Sequence, residues 1–394
     1  MDSKIVVGKP ELLKQINRNT VIKLIFKHGE ISRTEIAKLS KLTLPSVMRI
    51  VDGLIEENLV AEVGKGTSTG GRKPNLISMN HRHLYIVGVE IAINVVVVLT
   101  DLSGKILDRW EDSQMHYQTP ETVLTAIFEQ INRMIDANHL NMCQIAGIGI
   151  GTPGTNFKYT KRMLHSILKG WEEMDVKGWF ESRIACPVFV DNVARTRTLG
   201  ELWFGIGKEI KDFIYVFIDQ GVGCGIVTHG AIQEGYNGVA GEFGHTIIEF
   251  EGRECYCGNR GCIEMYVSAG AIISDVNQLS DIQVEQSFSE VAKIENLPQV
   301  EQTIKKSAMV LAAGISNLIN IINPYAVVIG GIVPTRSKVF TEQIKASVRA
   351  SVFSKYAMDT KIYLSEIDMT YNCLGSVALV INEIFKSVTV TDQR

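Results

Sequence analysis

Three of the chain's seven cysteines crowd into the run Cys255-Tyr-Cys257-Gly258-Asn-Arg-Gly261-Cys262, and His245 lies a short loop upstream. Three thiolates and one imidazole complete a tetrahedral Zn²⁺ shell with no open position, the structural rather than the catalytic kind of zinc site. Buried free thiols beside a core histidine are the competing account, but core packing has no use for this spacing. Gly258 and Gly261 let the backbone turn tightly between the thiols. A metal at this point would force residues 241–264 to close on themselves. It would also bring the two carboxylates of that segment, Glu242 and Glu264, into one neighbourhood, which predicts a polar ligand pocket.

At 394 residues, with 45% hydrophobic content, the chain should hold two or three packed domains. Residues 1–5 lack an apolar core, so no secretory leader is expected. No apolar run reaches the ~20 residues of a membrane span, so no membrane insertion is expected. The other cysteines, Cys143, Cys186, Cys224 and Cys373, are scattered. That pattern suits a reducing cytoplasm rather than a disulfide framework. Net charge is −3 but uneven: residues 1–80 carry 13 Lys and Arg against 8 Asp and Glu, and the rest carry 27 against 35. A basic end on an acidic body predicts a polyanion partner for that end alone.

The basic end reads as a winged helix-turn-helix over residues 1–82. Apolar residues recur at helical spacing through residues 11–28, and Gly29 stops that helix. Ser32-Arg33-Thr34-Glu35 is a capping box opening a short helix over residues 33–39, with Ile36, Ala37 and Leu39 inward. Thr43 caps a third helix over residues 44–57, with Pro45 tolerated in its first turn. The outward first turn of that helix presents Thr43, Pro45, Ser46 and Arg49, the positions that face base edges when such a helix enters a major groove. Two strand-like runs, residues 59–63 and 76–79, bracket a Gly-rich wing in which Arg72 and Lys73 are suited to phosphates or a minor groove. A solvated bundle for protein contacts would not require that wing.

Beyond residue 82 strands and helices alternate. A three-strand meander, a helix over 121–138 and a strand over 145–151 ending in Gly151-Thr-Pro153-Gly154 come first. The layout then repeats after residue 213, with long helices over 303–322 and 340–351 and a final helix from residue 374. Two similar α/β halves predict two lobes around a cleft, over residues 83–194 with 374–394 and over residues 195–373.

These residues carry a specific resemblance. The chain resembles the ROK family of bacterial sugar kinases and sugar-responsive repressors over essentially its whole length. Its N-terminal winged helix matches the repressor branch. The resemblance implies an actin/hexokinase-like, ribonuclease H-like α/β body. It places the family's structural zinc at His245, Cys255, Cys257 and Cys262, and its sugar contacts at Gly154, Asn192, Glu242, His245 and Glu264. Phosphate chemistry does not carry over. The family kinases' Asp-x-Gly-Gly-Thr turn is Glu90-Ile-Ala-Ile-Asn94 here, without glycine or hydroxyl. Their catalytic aspartate is Val193, which accepts no proton. Their Gly-Thr-Gly turn is Asp219-Gln-Gly221. Asp191 is displaced by two positions from the base. Arg195 and Arg197 read as ion pairs on a helix surface, with a sugar phosphate as their other possible partner.

The expectation is a homo-oligomeric repressor, dimer or tetramer, without enzymatic activity. It would bind a double-stranded operator and respond to a sugar or sugar phosphate. Capture by a protein partner such as a sugar transporter is the alternative, and a bifunctional kinase a third.

Overall fold

The computed structural model describes residues 10–66, 73–81, 83–92, 94–115, 118–156, 163–164, 170–171, 174–280, 282–285, 287–353, 359–367 and 373–384. Its first helix, α1 (Pro10–His28), ends at Gly29, where φ is +72°; only glycine takes that value without strain. β1 (Ile31–Ser32) leads into α2 (Arg33–Ser40). Ser32 Oγ accepts from the Glu35 N–H, and the Glu35 carboxylate accepts from the Ser32 N–H at 3.0 Å, so both members of the capping box are made. Helix α3 (Leu44–Glu56) is capped by Thr43, whose hydroxyl accepts from the Ser46 N–H. Ile36, Val47, Val51 and Leu54 form the inward face; Leu39, expected inward, is half exposed in the last turn of the short helix α2. β2 (Val60–Lys65) and β3 (Asn75–Met79) pair antiparallel, and β1 completes the sheet in the order β1-β3-β2. Arg72, assigned to the wing, lies outside the described residues.

The body contains two five-stranded sheets of one design. The first uses β4 (Tyr85–Ile91), β5 (Val95–Asp101), β6 (Ile106–Asp112), β7 (Ile145–Thr152) and β10 (Val188–Asn192). Between these come α4 (Pro120–Ala137), the two-residue β8 (Thr155–Asn156) and β9 (Met163–Leu164), and α5 (Val176–Glu181). Helix α6 (Val193–Trp203) then leads into the second sheet, built from β11 (Phe213–Ile218), β12 (Val222–Thr228), β13 (Ala231–Ile232), β14 (Ala326–Gly330) and β15 (Lys361–Leu364). Its helices are α7 (Glu264–Val267), α8 (Ala269–Asn277), α9 (Phe288–Lys293), α10 (Pro298–Ile322), α11 (Ile332–Arg336) and α12 (Lys338–Ser351). The chain finishes its described course with α13 (Leu374–Ile384).

The sheet orders are β10-β7-β4-β5-β6 and β13-β12-β11-β14-β15. In each, an antiparallel three-strand meander continues into two parallel strands on the side of its first strand. The internal repeat read from the sequence is therefore a repeat of topology.

Alternation along β4 and β5 sends side chains to two different cores. Val87, Val89, Val97 and Leu99 pack with Val123, Ile127 and Ile131 of α4. Ile86 and Val98 face the other way and join Val377, Val380 and Ile381 of α13 in a cluster that also holds Val21, Ile22, Ile25, Val51 and Leu54. The winged helix thus shares a continuous apolar core with the body. Glycines on β7 let α13 approach: a Cβ on Gly149 would lie 1.9 Å from the Ser376 carbonyl oxygen.

Candidate functional site

The cysteine loop is built from tight turns. Phe243 is buried against Gly314 of α10 and anchors a 3-10 turn over Phe243–His245. Gly258 and Gly261 sit at φ +92° and +78°. The Gly258 N–H donates to the Cys255 carbonyl at 3.0 Å, closing the turn between the first two thiols. Cys262 is bridged to Ile247, which returns the third thiol to the histidine. The ligand atoms of His245, Cys255, Cys257 and Cys262 lie within 4.8 Å of one another. The Cys257 and Cys262 sulfurs are 3.7 Å apart, and Cys255 Sγ is 3.5 Å from His245 Nδ1. With bond lengths of about 2.3 Å to sulfur and 2.05 Å to nitrogen, a tetrahedron has edges of about 3.8 and 3.6 Å. The four groups fit a metal ion of that kind.

Coordination through Nδ1 leaves His245 Nε2 facing away from the sulfurs, 3.3 Å from the Tyr256 hydroxyl. Tyr256 meets the imidazole edge-on, with ring centroids 5.3 Å apart. Sequence reasoning did not single out Tyr256; its place between two ligand cysteines was the available signal.

A cavity of about 650 Å³ lies beside this loop and between the two sheets. Gly154, Asn192, Glu242, His245 and Glu264 all line it, so the structure brings the five predicted sugar contacts to one space. Glu264 is buried at the start of α7 and accepts from the Val222 N–H at 2.7 Å. Asn192 caps α6: its Oδ1 accepts from the Ala194 N–H at 2.7 Å and its Nδ2 donates to the Gly154 carbonyl at 2.7 Å. That second bond ties the Pro153-Gly154 turn to α6, so two of the predicted contacts position each other.

The other side of the cavity is occupied by an ion cluster. Arg197 donates to the two oxygens of Glu90 at 2.7 and 3.2 Å and also pairs with Asp219. Its guanidinium stacks over Phe217, 4.6 Å from the ring centroid. The opposed carboxylates hold Arg197 protonated well above its ordinary range despite burial. Asp219 also accepts from the Ile332 N–H, at the first residue of α11, at 2.5 Å. A carboxylate of the chain thus caps the helix N-terminus, where donors and dipole favour an anion. Arg195 pairs with Asp191 and donates to the Gly238 carbonyl. The sequence alone predicts surface ion pairs for both arginines. The pairs exist, but Arg195 and Arg197 are buried, because α6 runs through the interior between the sheets. Asp191 is turned toward Arg195, and the residue presented to the cavity at the helix start is Val193.

At the other end of the molecule Thr43, Pro45 and Arg49 are exposed on α3, Ser46 is half-buried and Lys73 is exposed. Thr43 and Ser46 share a hydroxyl–hydroxyl bond of 2.9 Å, so Thr43 is partly committed to its cap. Leu44 and Met48, which sequence reasoning passed over, are also exposed on α3. Apolar side chains in this position can meet thymine methyl groups. Arg33 is not free for phosphate, being paired with Asp52 and Glu62.

A winged helix joined to a duplicated kinase-like α/β body with a Cys3His cluster fit for a metal defines a class: a DNA-binding regulator built on a sugar-kinase scaffold. The ROK family profile matches residues 86–383, and the chain belongs to the ROK family. It is 30% identical over 392 residues to the xylose repressor of Caldicellulosiruptor bescii, covering 96% of this chain and 98% of the relative. It is 30% identical over 393 residues to the DNA-binding transcriptional dual regulator NagC of Escherichia coli, covering 95% and 94%. A solved ROK family transcriptional regulator, a homologue of the Escherichia coli MLC protein, superposes with TM-score 0.80 at 25% identity over 95% of this chain and 98% of its own. A ROK family glucokinase from Streptomyces griseus shares the fold, with TM-score 0.66 at 23% identity over 75% of this chain and 98% of its own.

Proposed function

We propose that the protein is a transcriptional repressor of sugar uptake or catabolism genes, whose operator binding is governed by a sugar held in the cleft without phosphoryl transfer. One observation carries the reading. The polar groups on the cysteine-loop side of the cavity converge on one space, while the side where a kinase would handle phosphate is taken by Glu90, Arg197 and Asp219. A carboxylate at the α11 N-terminus opposes a phosphate there, and Val193 offers no base. In this reading Gly154, Asn192, Glu242, His245 and Glu264 bind sugar hydroxyls. Sites of that kind discriminate well, because a missing hydroxyl leaves a buried polar partner unpaired. His245, Cys255, Cys257 and Cys262 hold a structural Zn²⁺, which supplies rigidity and no reaction step.

Thr43, Pro45, Ser46, Arg49, Arg72 and Lys73 contact the operator. Two copies of the chain on paired half-sites match protein two-fold symmetry to a pseudo-palindrome. We take residues 1–82 as the DNA-binding domain, residues 83–194 with 374–394 as one lobe and residues 195–373 as the other. We place the protein in the cytoplasm, which its scattered free cysteines suit; no described helix is long and apolar enough to cross a membrane.

The test is fluorescence anisotropy on operator DNA obtained by in vitro selection, titrated with D-xylose, D-glucose, N-acetylglucosamine and their phosphates. At least one ligand should change operator affinity, by about 5- to 150-fold for a coupling of ordinary size, and DNA must weaken that ligand by the same factor. Ligands that bind while leaving DNA affinity unchanged refute the reading. So does steady ATP turnover with any of the sugars.

A further inference from the structure

We infer that helix α6 is the element that couples the cleft to the DNA-binding domain, delivering cleft movement to α1 through Trp203 and Phe204. The inference rests on the sugar-controlled reading above and adds the route of control.

Helix α6 begins in the cleft. Asn192 caps it while holding the Gly154 carbonyl, and Val193 lines the cavity. One helical turn on, Arg197 grips Glu90 of β4 and Asp219 beyond β11, one partner from each sheet. Backbone contact then fixes the helix on both flanks. A Cβ on Gly225 of β12 would lie 2.0 Å from Thr198 Oγ1, and one on Gly375 of α13 would lie 2.4 Å from the Thr196 carbonyl oxygen. Residues 194–201 are all buried. A change in the angle between the sheets has to displace α6, since close-packed interiors transmit strain rather than absorb it.

The far end of α6 meets the winged helix. The Trp203 ring stands edge-on to Phe26 of α1, with centroids 5.2 Å apart, and Phe204 lies 6.4 Å from the same ring. Phe204 is itself wedged against the β5–β6 turn, where a Cβ on Gly104 would come within 2.6 Å of its ring. An 11-residue helix rises about 16 Å. A tilt at the Arg197 level is therefore delivered as a displacement at Phe26. Phe26, Trp203 and Phe204 do not line the cavity; their role is positioning.

The experiment compares full-length wild type with Phe26→Ala and Gly104→Ala, using whichever of D-xylose, D-glucose and N-acetylglucosamine binds. Sugar affinity is measured by calorimetry and operator affinity by anisotropy, with and without sugar. Both variants should keep sugar affinity within about threefold while the sugar-dependent ratio of operator affinities falls by about fivefold or more. In wild type, hydrogen exchange with and without sugar should change both at residues 199–206 and at residues 20–28. A variant that folds and keeps the full ratio overturns the inference. So does exchange that responds around the cleft and stays unchanged at both segments, a reading that needs no variant to fold. Wild type whose operator affinity ignores every bound sugar fails the proposed function itself; wild type and variants with equal coupling fail only the route through α6.

Discussion

Removing the Arg197 guanidinium is the sharpest test of how the body is held together. In Arg197→Met, Glu90 and Asp219 lose the partner that both of them share. Their side chains are 6% and 19% exposed, so water can solvate them only in part. Breaking a buried pair by deleting one member costs about 3–5 kcal/mol, because the remaining charge is left uncompensated. A domain's whole stability is about 5–15 kcal/mol, so the loss is a large share of it. Urea unfolding followed by tryptophan fluorescence reads the change, since all four tryptophans, Trp110, Trp171, Trp179 and Trp203, lie in the affected body. Arg197→Lys should recover only part of the loss, since an ammonium cannot span Glu90 with two parallel bonds and reach Asp219 as well. Adding Glu90→Gln and Asp219→Asn to Arg197→Met should restore most of it, because the uncompensated charges are gone. The reasoning fails if Arg197→Met costs less than about 1 kcal/mol, the range of an exposed pair, or if the added neutral residues bring no recovery.

Three further outcomes follow from the same structure. Cys257→Ser should leave the purified chain with sub-stoichiometric metal by mass spectrometry and raise proteolytic cleavage within residues 241–264; full metal content would remove the Cys3His assignment. Gly149→Ala places a Cβ 1.9 Å from the Ser376 carbonyl oxygen, and since backbone cannot step aside as a side chain can, it should cost at least the ~1–3 kcal/mol of core overpacking, measured by urea unfolding. Hydrogen bonds from Ser32 hold the Glu35 carboxyl below its ordinary range. A lowered folded-state pKa contributes stability above the unfolded value of about 4.3 and loses it as pH falls through the folded value. The destabilisation by Glu35→Ala should therefore be full at pH 7 and shrink toward nothing in strong acid, and a pH-independent difference would disconnect it from the carboxylate.

Local chemistry makes much of this protein legible in its sequence. The capping box at Ser32, the cap at Thr43, the stop at Gly29 and the cysteine spacing depend on neighbours within a few residues, and the structure keeps each of them. Helix starts were less legible where no polar cap announced them: α10 begins at Pro298, five residues before the apolar period becomes clear. The start of α6 is equally hard to read, because Asn192 serves both as the end of β10 and as the helix cap.

By itself the sequence carried the main alternation of strands and helices, the spacing of the cysteine-histidine cluster, the residue types at Glu90, Val193 and Asp219, and the basic end with its capped helices. All of these are patterns of residue type at short range. Only the tertiary structure decided that Arg195 and Arg197 are buried, that Arg197 answers Glu90 and Asp219 at once, and that Phe26 rests on Trp203. Those partners are separated by 107, 22 and about 177 positions along the chain. Polar residues on a helix read as a surface unless one knows that two sheets close over it. The pattern of charge along α6 was visible from the start, and its meaning depended on what the fold placed opposite.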